Sequence, residues 1–324
     1  MRTSAARIAV LARPVLAGLV LAGLVLSGLA ISFPATRAMA AGATSPDASR
    51  IVSVGAAVTE ILYALGLDGR VVAVDATSQF PARALKEKPS VGYLRQLSPE
   101  GVLGTNPSLV LAAAAAGPPE TVRVLEAAAV PLVRVPDSYD GAGILAKIRL
   151  IAATAGAATR GECLAAAVAG DLDALAGLGS KVTAPPRVVF LLSFVNGRAM
   201  VAGRGTAADG MIRLVGAVNV FDNLDGYKPV TDEAVVAARP ETVIVMDTGG
   251  IPGPGGAGML TADQVFAHAG FAATPAAEHR AFHRIGAQAL AFGPITAQAA
   301  LDLAQTLHPG LAAAPRPPAP DCSR

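Results

Sequence analysis

The chain of 324 residues contains no tryptophan, and aromatic residues of all kinds make up only 4% of it. Basic clusters and interleaved aromatics are both missing, which removes a nucleic-acid surface from consideration. Cysteine is nearly as scarce: Cys163 and Cys322 stand far apart and fit no metal-binding spacing. The four histidines, His268, His279, His283 and His308, all fall late in the chain. His279 and His283 share an i, i+4 spacing, but no adjacent acid completes a zinc-protease motif, so they read as surface residues. The Gly-x-Ser-x-Gly turn of α/β hydrolases does not occur. The run Gly249–Gly258 lacks the Gly-Lys-Ser/Thr ending of a phosphate loop and reads as a loop at the mouth of a cleft.

What is present begins with an export signal. Arg2, Arg7 and Arg13 precede an apolar run from Val15 to Phe33, which ends at the small-x-small sequence Ala38-Met39-Ala40. That pattern predicts a cleaved signal peptide over residues 1–40 and a periplasmic mature protein. No cysteine follows the run, so a lipid anchor has no attachment point. The segment holds four arginines and no acid; without it, 26 basic against 24 acidic residues become 22 against 24. The slightly basic balance therefore belongs to the leader. Export makes a disulfide between the cysteines chemically available, whereas the Pro-rich setting of Cys322 argues against one.

From Ile51 onward, short apolar runs alternate with helical patterns. Ile51–Val54, Val71–Asp75, Leu109–Ala113 and Leu132–Val135 read as strands, with a helix capped by Thr59 and another over Pro119–Ala129. Strands alternating with helices imply a parallel sheet covered on both faces. The alanine-rich stretch from Tyr139 to Leu178 carries almost no strand signal and is long enough for one extended helix. After Pro185-Pro186 the alternation resumes with Val188–Leu192, Gly216–Phe221, Thr242–Met246 and the late segment Leu301–Leu307. Proline and alanine dominate beyond Pro309, which predicts a disordered tail.

The two halves echo each other. Ser98-Pro-Glu100 through Asn106-Pro107 to Ala112 resembles Thr231-Asp-Glu233 through Arg239-Pro240 to Val245. Each reads as a capped helix, a proline break and a buried strand, and each follows a tyrosine, Tyr93 or Tyr227. The expected fold is α/β: two Rossmann-like lobes with parallel sheets joined by one long α-helix. Residues 41–140 form one lobe, 141–180 the linking helix, 181–308 the second lobe and 309–324 the tail. A single doubly wound domain is the alternative.

The run Val91-Gly-Tyr93-Leu-Arg95-Gln-Leu-Ser98-Pro-Glu-Gly101 resembles the signature of periplasmic haemin-binding proteins of bacterial ABC importers. Gly117-Pro-Pro119, Ala199 through Gly203-Arg204 to Asp209, Thr274-Pro275-Ala276 and Phe292-Gly-Pro294 extend the likeness over most of residues 50–308. The resemblance implies a helix-hinged, bilobal binding protein, not an enzyme. It would carry ferric haem as cargo to an inner-membrane permease and its ATPase, downstream of an outer-membrane haem receptor. Carriage of a ferric siderophore or cobalamin is the alternative within the class, and an exported haem enzyme the alternative outside it.

The resemblance implies that Tyr93 is the axial iron ligand. A phenolate is a hard, charged oxygen donor suited to ferric iron. A free phenol is almost wholly protonated at neutral pH, and iron together with a nearby cation favours the phenolate. Arg95 would supply that cation; in an extended segment, positions i and i+2 point to the same side. Tyr227, at the echoing position, would close over the other haem face, pack on the porphyrin edge, or serve structure alone. Arg204, in a Gly-rich loop at the cleft edge, would meet a propionate bidentately or stay a solvated surface residue. The segment Ser193–Gly197 lacks the histidine through which some relatives bind a second haem, which argues against a stacked pair. Glu60 and Asp209 each lie opposite an apolar helix face and read as exposed carboxylates for permease arginines.

Overall fold

The computed structural model describes residues 46–247, 260–311 and 320–323; the expected leader and the Gly249–Gly258 loop lie outside them. The first half holds β1 (Ile51–Val54), α1 (Ala56–Ala64), β2 (Val71–Val74), α2 (Ala84–Glu87), α3 (Pro99–Leu103), β3 (Leu109–Ala113), α4 (Pro119–Ala127) and β4 (Leu132–Val135). Its strands pair in parallel in the order β2-β1-β3-β4. Side chains alternate between two apolar layers: Ile51, Leu109 and Leu111 join one, and Val52, Val54, Val110 and Ala112 the other. Burial on both faces is why these strands read as continuous apolar runs. Thr59 does not cap α1. It sits buried inside the helix, its hydroxyl 2.6 Å from Ser53 Oγ and 2.7 Å from Ser78 Oγ.

The stretch expected as one helix is two, α5 (Gly141–Thr154) and α6 (Ala158–Gly179). Gly156 makes the break with φ +68°. The Gly156 amide donates to the Ala153 carbonyl at 3.1 Å and the Ala157 amide to the Ala152 carbonyl at 2.7 Å, the left-handed C-terminal motif that glycine allows. The chain therefore folds back, and α5 packs on α6. It is α6 that spans the halves: Ala165 and Val168 join the first-lobe core, and Leu175 and Leu178 the second.

The second half holds β5 (Arg187–Val195), β6 (Arg198–Ala202), α7 (Ala207–Leu214), β7 (Val218–Asn219), β8 (Tyr227–Val230), α8 (Asp232–Ala238) and β9 (Thr242–Asp247). After the undescribed loop come α9 (Ala262–Phe266), α10 (Ala269–Ala272), α11 (Pro275–Glu278), β10 (Phe282–Gly286) and α12 (Pro294–Leu307). The late segment Leu301–Leu307 is thus the end of a helix. The sheet is mixed, where a parallel one was expected. Its parallel part, β7-β5-β9-β10, repeats the first sheet, while β6 and β8 add antiparallel strands. β5 changes partner along its length, pairing with β7 at Arg187–Val188 and with β6 from Leu191 to Val195.

The repeat seen in the sequence extends to the backbone. Ser98 and Thr231 cap α3 and α8 by accepting the amides of Gly101 and Ala234. After each helix a residue in the left-handed region, Asn106 (φ 50°) or Arg239 (φ 46°), precedes the proline. The next strand is then β3 or β9.

Cys163 and Cys322 are joined, contrary to the expectation from the tail's composition, with Cα atoms 5.7 Å apart and a sequence separation of 159. The bridge fixes the last described residues to the start of α6. There Arg160 Nη1 donates to the Ser323 carbonyl at 3.1 Å, and Ser323 lies against Gly66. Residues 312–319 of the expected tail lie outside the described part.

Candidate functional site

Loops leaving the C-terminal ends of the parallel strands form the rim where α/β sheets present ligand groups. In the first lobe, Asp75 organises this rim from a fully buried position. Its carboxylate accepts the Gly55 amide at 2.7 Å, the Thr77 amide at 2.9 Å and the hydroxyls of Thr77 and Ser78 at 2.7 and 2.9 Å. The next loop carries Tyr93 and Arg95. It is held on one side by the Ala76 amide donating to the Gly92 carbonyl at 2.8 Å. On the other side, Gly117 donates to Leu94 and accepts from Leu97, each at 2.9 Å. Tyr93 and Arg95 do not lie in an extended segment. They occupy a tight turn closed by the Gln96 amide on the Tyr93 carbonyl at 2.7 Å, so same-side projection does not follow from their spacing. Both are exposed, Tyr93 at 44%.

In the second lobe, Tyr227 opens β8 opposite Ala202 and is 38% exposed. Burial, and then Tyr139, push its phenol above the ordinary range, while the Thr206 hydroxyl, the Arg95 cation and the Ala208 backbone act the other way. Tyr139, in the loop after β4, is likewise raised by burial and by Asp137, and lowered by Arg95. Its ring meets Phe292 edge-on at 5.3 Å, and its backbone lies so close to Gly210 of α7 that a Cβ there would come within 2.5 Å of it. Arg95, Tyr139 and Tyr227, from loops of both lobes, therefore share one electrostatic neighbourhood.

Arg204 already has a partner. Its guanidinium grips Asp225 bidentately, Nε to Oδ1 at 2.6 Å and Nη2 to Oδ2 at 3.1 Å, with both side chains largely exposed. The bidentate edge of the guanidinium is thus occupied, and a propionate would meet the remaining Nη1 donors or displace that carboxylate. The β5–β6 hairpin carries Phe194, stacked on His268 at 4.4 Å, and His268 Nε2 lies 2.9 Å from the Gly197 carbonyl. His279 ends α11 and His283 lies in β10, so the two do not share a helix face. Burial pushes the His283 imidazole down.

The exposure expected of Glu60 and Asp209 is overturned. Glu60 is 4% and Asp209 1% exposed. The helix face opposite the apolar stripe of α1 is covered by α5 and α12 rather than by water. Glu60 Oε1 accepts the Ile295 amide at 2.5 Å at the start of α12, and Lys147 Nζ donates to the Phe292 carbonyl at 3.1 Å beside it. Burial pushes the Glu60 carboxyl up to about 8, against the Ile295 amide and the Lys147 cation. Asp209 pairs with Arg213 and accepts Asn219 Nδ2 at 3.0 Å. Neither carboxylate is available to another protein.

The sequence reading passed over Tyr139, Lys147, Glu100 and Glu233. Tyr139 had a usable signal, since it is one of only four tyrosines and follows a strand of the parallel sheet. Lys147 had none, because its partners lie 144 and 145 residues away. Glu100 and Glu233 are exposed acids in the first turns of the echoing helices α3 and α8.

The sequence profile described as periplasmic binding protein matches residues 51–289. Among solved structures, the periplasmic heme-binding protein RhuT from Roseiflexus sp. RS-1, in apo form, is 37% identical with a TM-score of 0.73, covering 81% of this chain and 99% of that one. The periplasmic heme-binding protein BhuT in complex with two hemes is 36% identical with a TM-score of 0.74 and the same coverage. An uncharacterized ABC transporter substrate-binding lipoprotein of Bacillus subtilis, YvrC, is 25% identical over 201 residues, 61% of this chain; the chain spans 63% of the length of that protein. A vitamin B12-binding protein of Pectobacterium carotovorum is 26% identical over 204 residues, 63% of this chain and 72% of that protein.

Proposed function

The chain belongs to the periplasmic binding protein family, and we propose that it captures ferric haem between its two lobes and delivers it to an inner-membrane ABC permease driven by an ATPase. The observation that carries this reading is the likeness, at 37% and 36% identity over 81% of this chain and 99% of each of the other two, to two heme-binding proteins. It is joined by an exposed tyrosine in the turn Tyr93–Gln96, at the strand-end rim of the first lobe. An extracytoplasmic site of action follows from the family. The basic, apolar and Ala-Met-Ala-ended leader supports export to the periplasm with cleavage after Ala40. An outer-membrane haem receptor would supply the cargo.

Tyr93 acts as the iron ligand: an oxygen donor on a turn fixed by backbone hydrogen bonds reaches the metal without reordering the loop. Apolar burial of the porphyrin between the lobes supplies the bulk of the affinity. The lobes move little, because α6 contributes to both cores and Glu60 couples α1 to α12. The permease is met by Glu100 and Glu233 in place of the buried Glu60 and Asp209. They are exposed, they hold equivalent places in the two lobes, and each follows a cleft-rim tyrosine within the same repeat.

Cobalamin carriage is the second reading, favoured by the likeness to a vitamin B12-binding protein. Parallel titrations with haemin and with cyanocobalamin decide between them. The haem reading expects saturable binding of haemin alone, and binding of cobalamin alone overturns it. Family members are substrate-binding transport proteins, and the haem-loaded protein is expected to show no peroxide turnover.

A further inference from the structure

Helix α6 is packed tightly at both ends and loosely between them. Near its start, Gly161 lies so close to Ala152 of α5 that a Cβ there would collide with the alanine side chain. Ala165 and Val168 then enter the first-lobe core. After Val168 no residue of α6 is buried until Leu175, which belongs to the second-lobe core. Gly170 falls in this gap, and a Cβ added to it would meet no atom within 4 Å. No close approach calls for glycine there, as one does at Gly161, and glycine is a weak helix former. A helix opens first where it is least packed and intrinsically weakest.

The chain spans the same gap a second time. His308, at the end of α12, is buried in the second lobe with Nε2 3.0 Å from the Val215 carbonyl. The Leu311 amide donates to the His308 carbonyl at 2.9 Å, and the Leu311 side chain packs on the second-lobe core. A Cβ on the adjoining Gly216 would lie 3.7 Å from Gly179, at the end of α6, and 3.8 Å from His308. The tail is therefore anchored beside the C-terminal end of α6. Its other anchor is on the first lobe. Cys322, 5% exposed, is bridged to Cys163, while the Ser323 carbonyl accepts Arg160 Nη1 at 3.1 Å and lies against Gly66. From Cys163 to Gly179, α6 rises about 24 Å. The eleven residue steps from Leu311 to Cys322 reach at most about 36–40 Å. The connection closes along α6 with limited slack, and both of its ends are fixed.

We infer that α6 is a hinge that gives at residues 170–173, and that the disulfide-anchored tail is a brace across this hinge, tying the second lobe to the first beside it. The brace limits how far the lobes turn about α6, whatever cargo the cleft holds.

The test is hydrogen exchange at the amides of residues 171–174. It compares the wild type, the double variant Cys163→Ser with Cys322→Ser, and a chain carrying eleven Gly and Ser residues inserted after Leu311. The insertion keeps the bridge and doubles the length of the brace. The amides of Val110 and Val243, which donate to the Pro131 and Ala281 carbonyls at 2.9 Å, serve as references in the two lobes. Exchange at residues 171–174 is expected to quicken roughly threefold with the insertion, the effect of doubling a flexible connection, and further when the bridge is removed. The reference amides should not change. Gly170→Ala should slow exchange in the same stretch by roughly fivefold, the size of the helix-propensity difference. Faster exchange on loss of the bridge but not on insertion would show that the bridge only anchors the tail locally, and would overturn the brace. No change in either variant would overturn it too, as would equal acceleration at Val110 and Val243. Unchanged exchange in Gly170→Ala would overturn the placing of the hinge.

Discussion

Glu60 Oε1 accepts the backbone amide of Ile295 at 2.5 Å across 235 residues of sequence. Gly293, the residue preceding α12, has no side chain to cap it, so a carboxyl from the other lobe does so. Removing this acceptor with Glu60→Ala leaves a helix terminus unsatisfied at a buried site. The expected loss is about 1–3 kcal/mol of unfolding free energy, with faster hydrogen exchange at Ile295. Unchanged exchange there would contradict the capping role.

The same carboxyl makes stability depend on pH. Its folded-state pKa, about 8, lies above the ordinary 4.5, so the folded protein keeps a proton that the unfolded chain releases. Its contribution is complete below about pH 4.5 and falls as pH rises towards 8. Glu60→Gln keeps the acceptor without the titration. The stability of the wild type relative to Glu60→Gln should therefore decline over that window in urea melts. A difference independent of pH would contradict it.

The Cys163–Cys322 bridge closes a loop with a sequence separation of 159 residues. Such a link restricts the unfolded chain, and its removal by Cys163→Ser with Cys322→Ser is expected to cost about 2–4 kcal/mol. Thermal melts of the oxidised wild type and the double variant test this. Equal midpoints would mean that the bridge adds no stability.

Docking through the repeat acids predicts a separation of functions. Glu100→Arg and Glu233→Arg should weaken association with the permease by roughly tenfold or more, as charge reversal across an interface does, with haemin binding unchanged. Asp209→Arg, by contrast, should destabilise the fold, because that carboxylate is buried against Asn219. Normal permease association by both surface variants would remove the docking assignment.

The legibility of the chain followed the range of the interactions involved. Strands such as Leu109–Ala113 and Leu132–Val135 were readable because their apolar runs are local and bounded by prolines. The repeat was readable for the same reason, since capping serine or threonine, acid and proline recur at fixed offsets. Glu60 was misread because a helical wheel sees only its own helix. Its solvent-like face is covered by α12, which is 235 residues away at the contact. The division of α5 from α6 was half visible: Gly156 was seen as a weak point, but alanine-rich flanks carry no sign that the chain reverses there. The antiparallel β6 and β8 were hidden because a short hairpin around Asn196-Gly197 leaves the strand-helix rhythm intact. At the site, the turn that holds Tyr93 was misread as extended, and Tyr139 acquires its meaning only from contacts with Gly210 and Phe292.

The central claim is that haem is held in the cleft through Tyr93, and the most direct measurement is a haemin titration of the mature protein followed in the visible spectrum, comparing wild type with Tyr93→Ala. The account predicts a saturable high-spin ferric spectrum with a phenolate-to-iron charge-transfer band in the wild type, and loss of that band with much weaker binding in the variant. An identical spectrum and affinity in the variant would contradict ligation by Tyr93, and absence of saturable binding in the wild type would contradict haem capture itself.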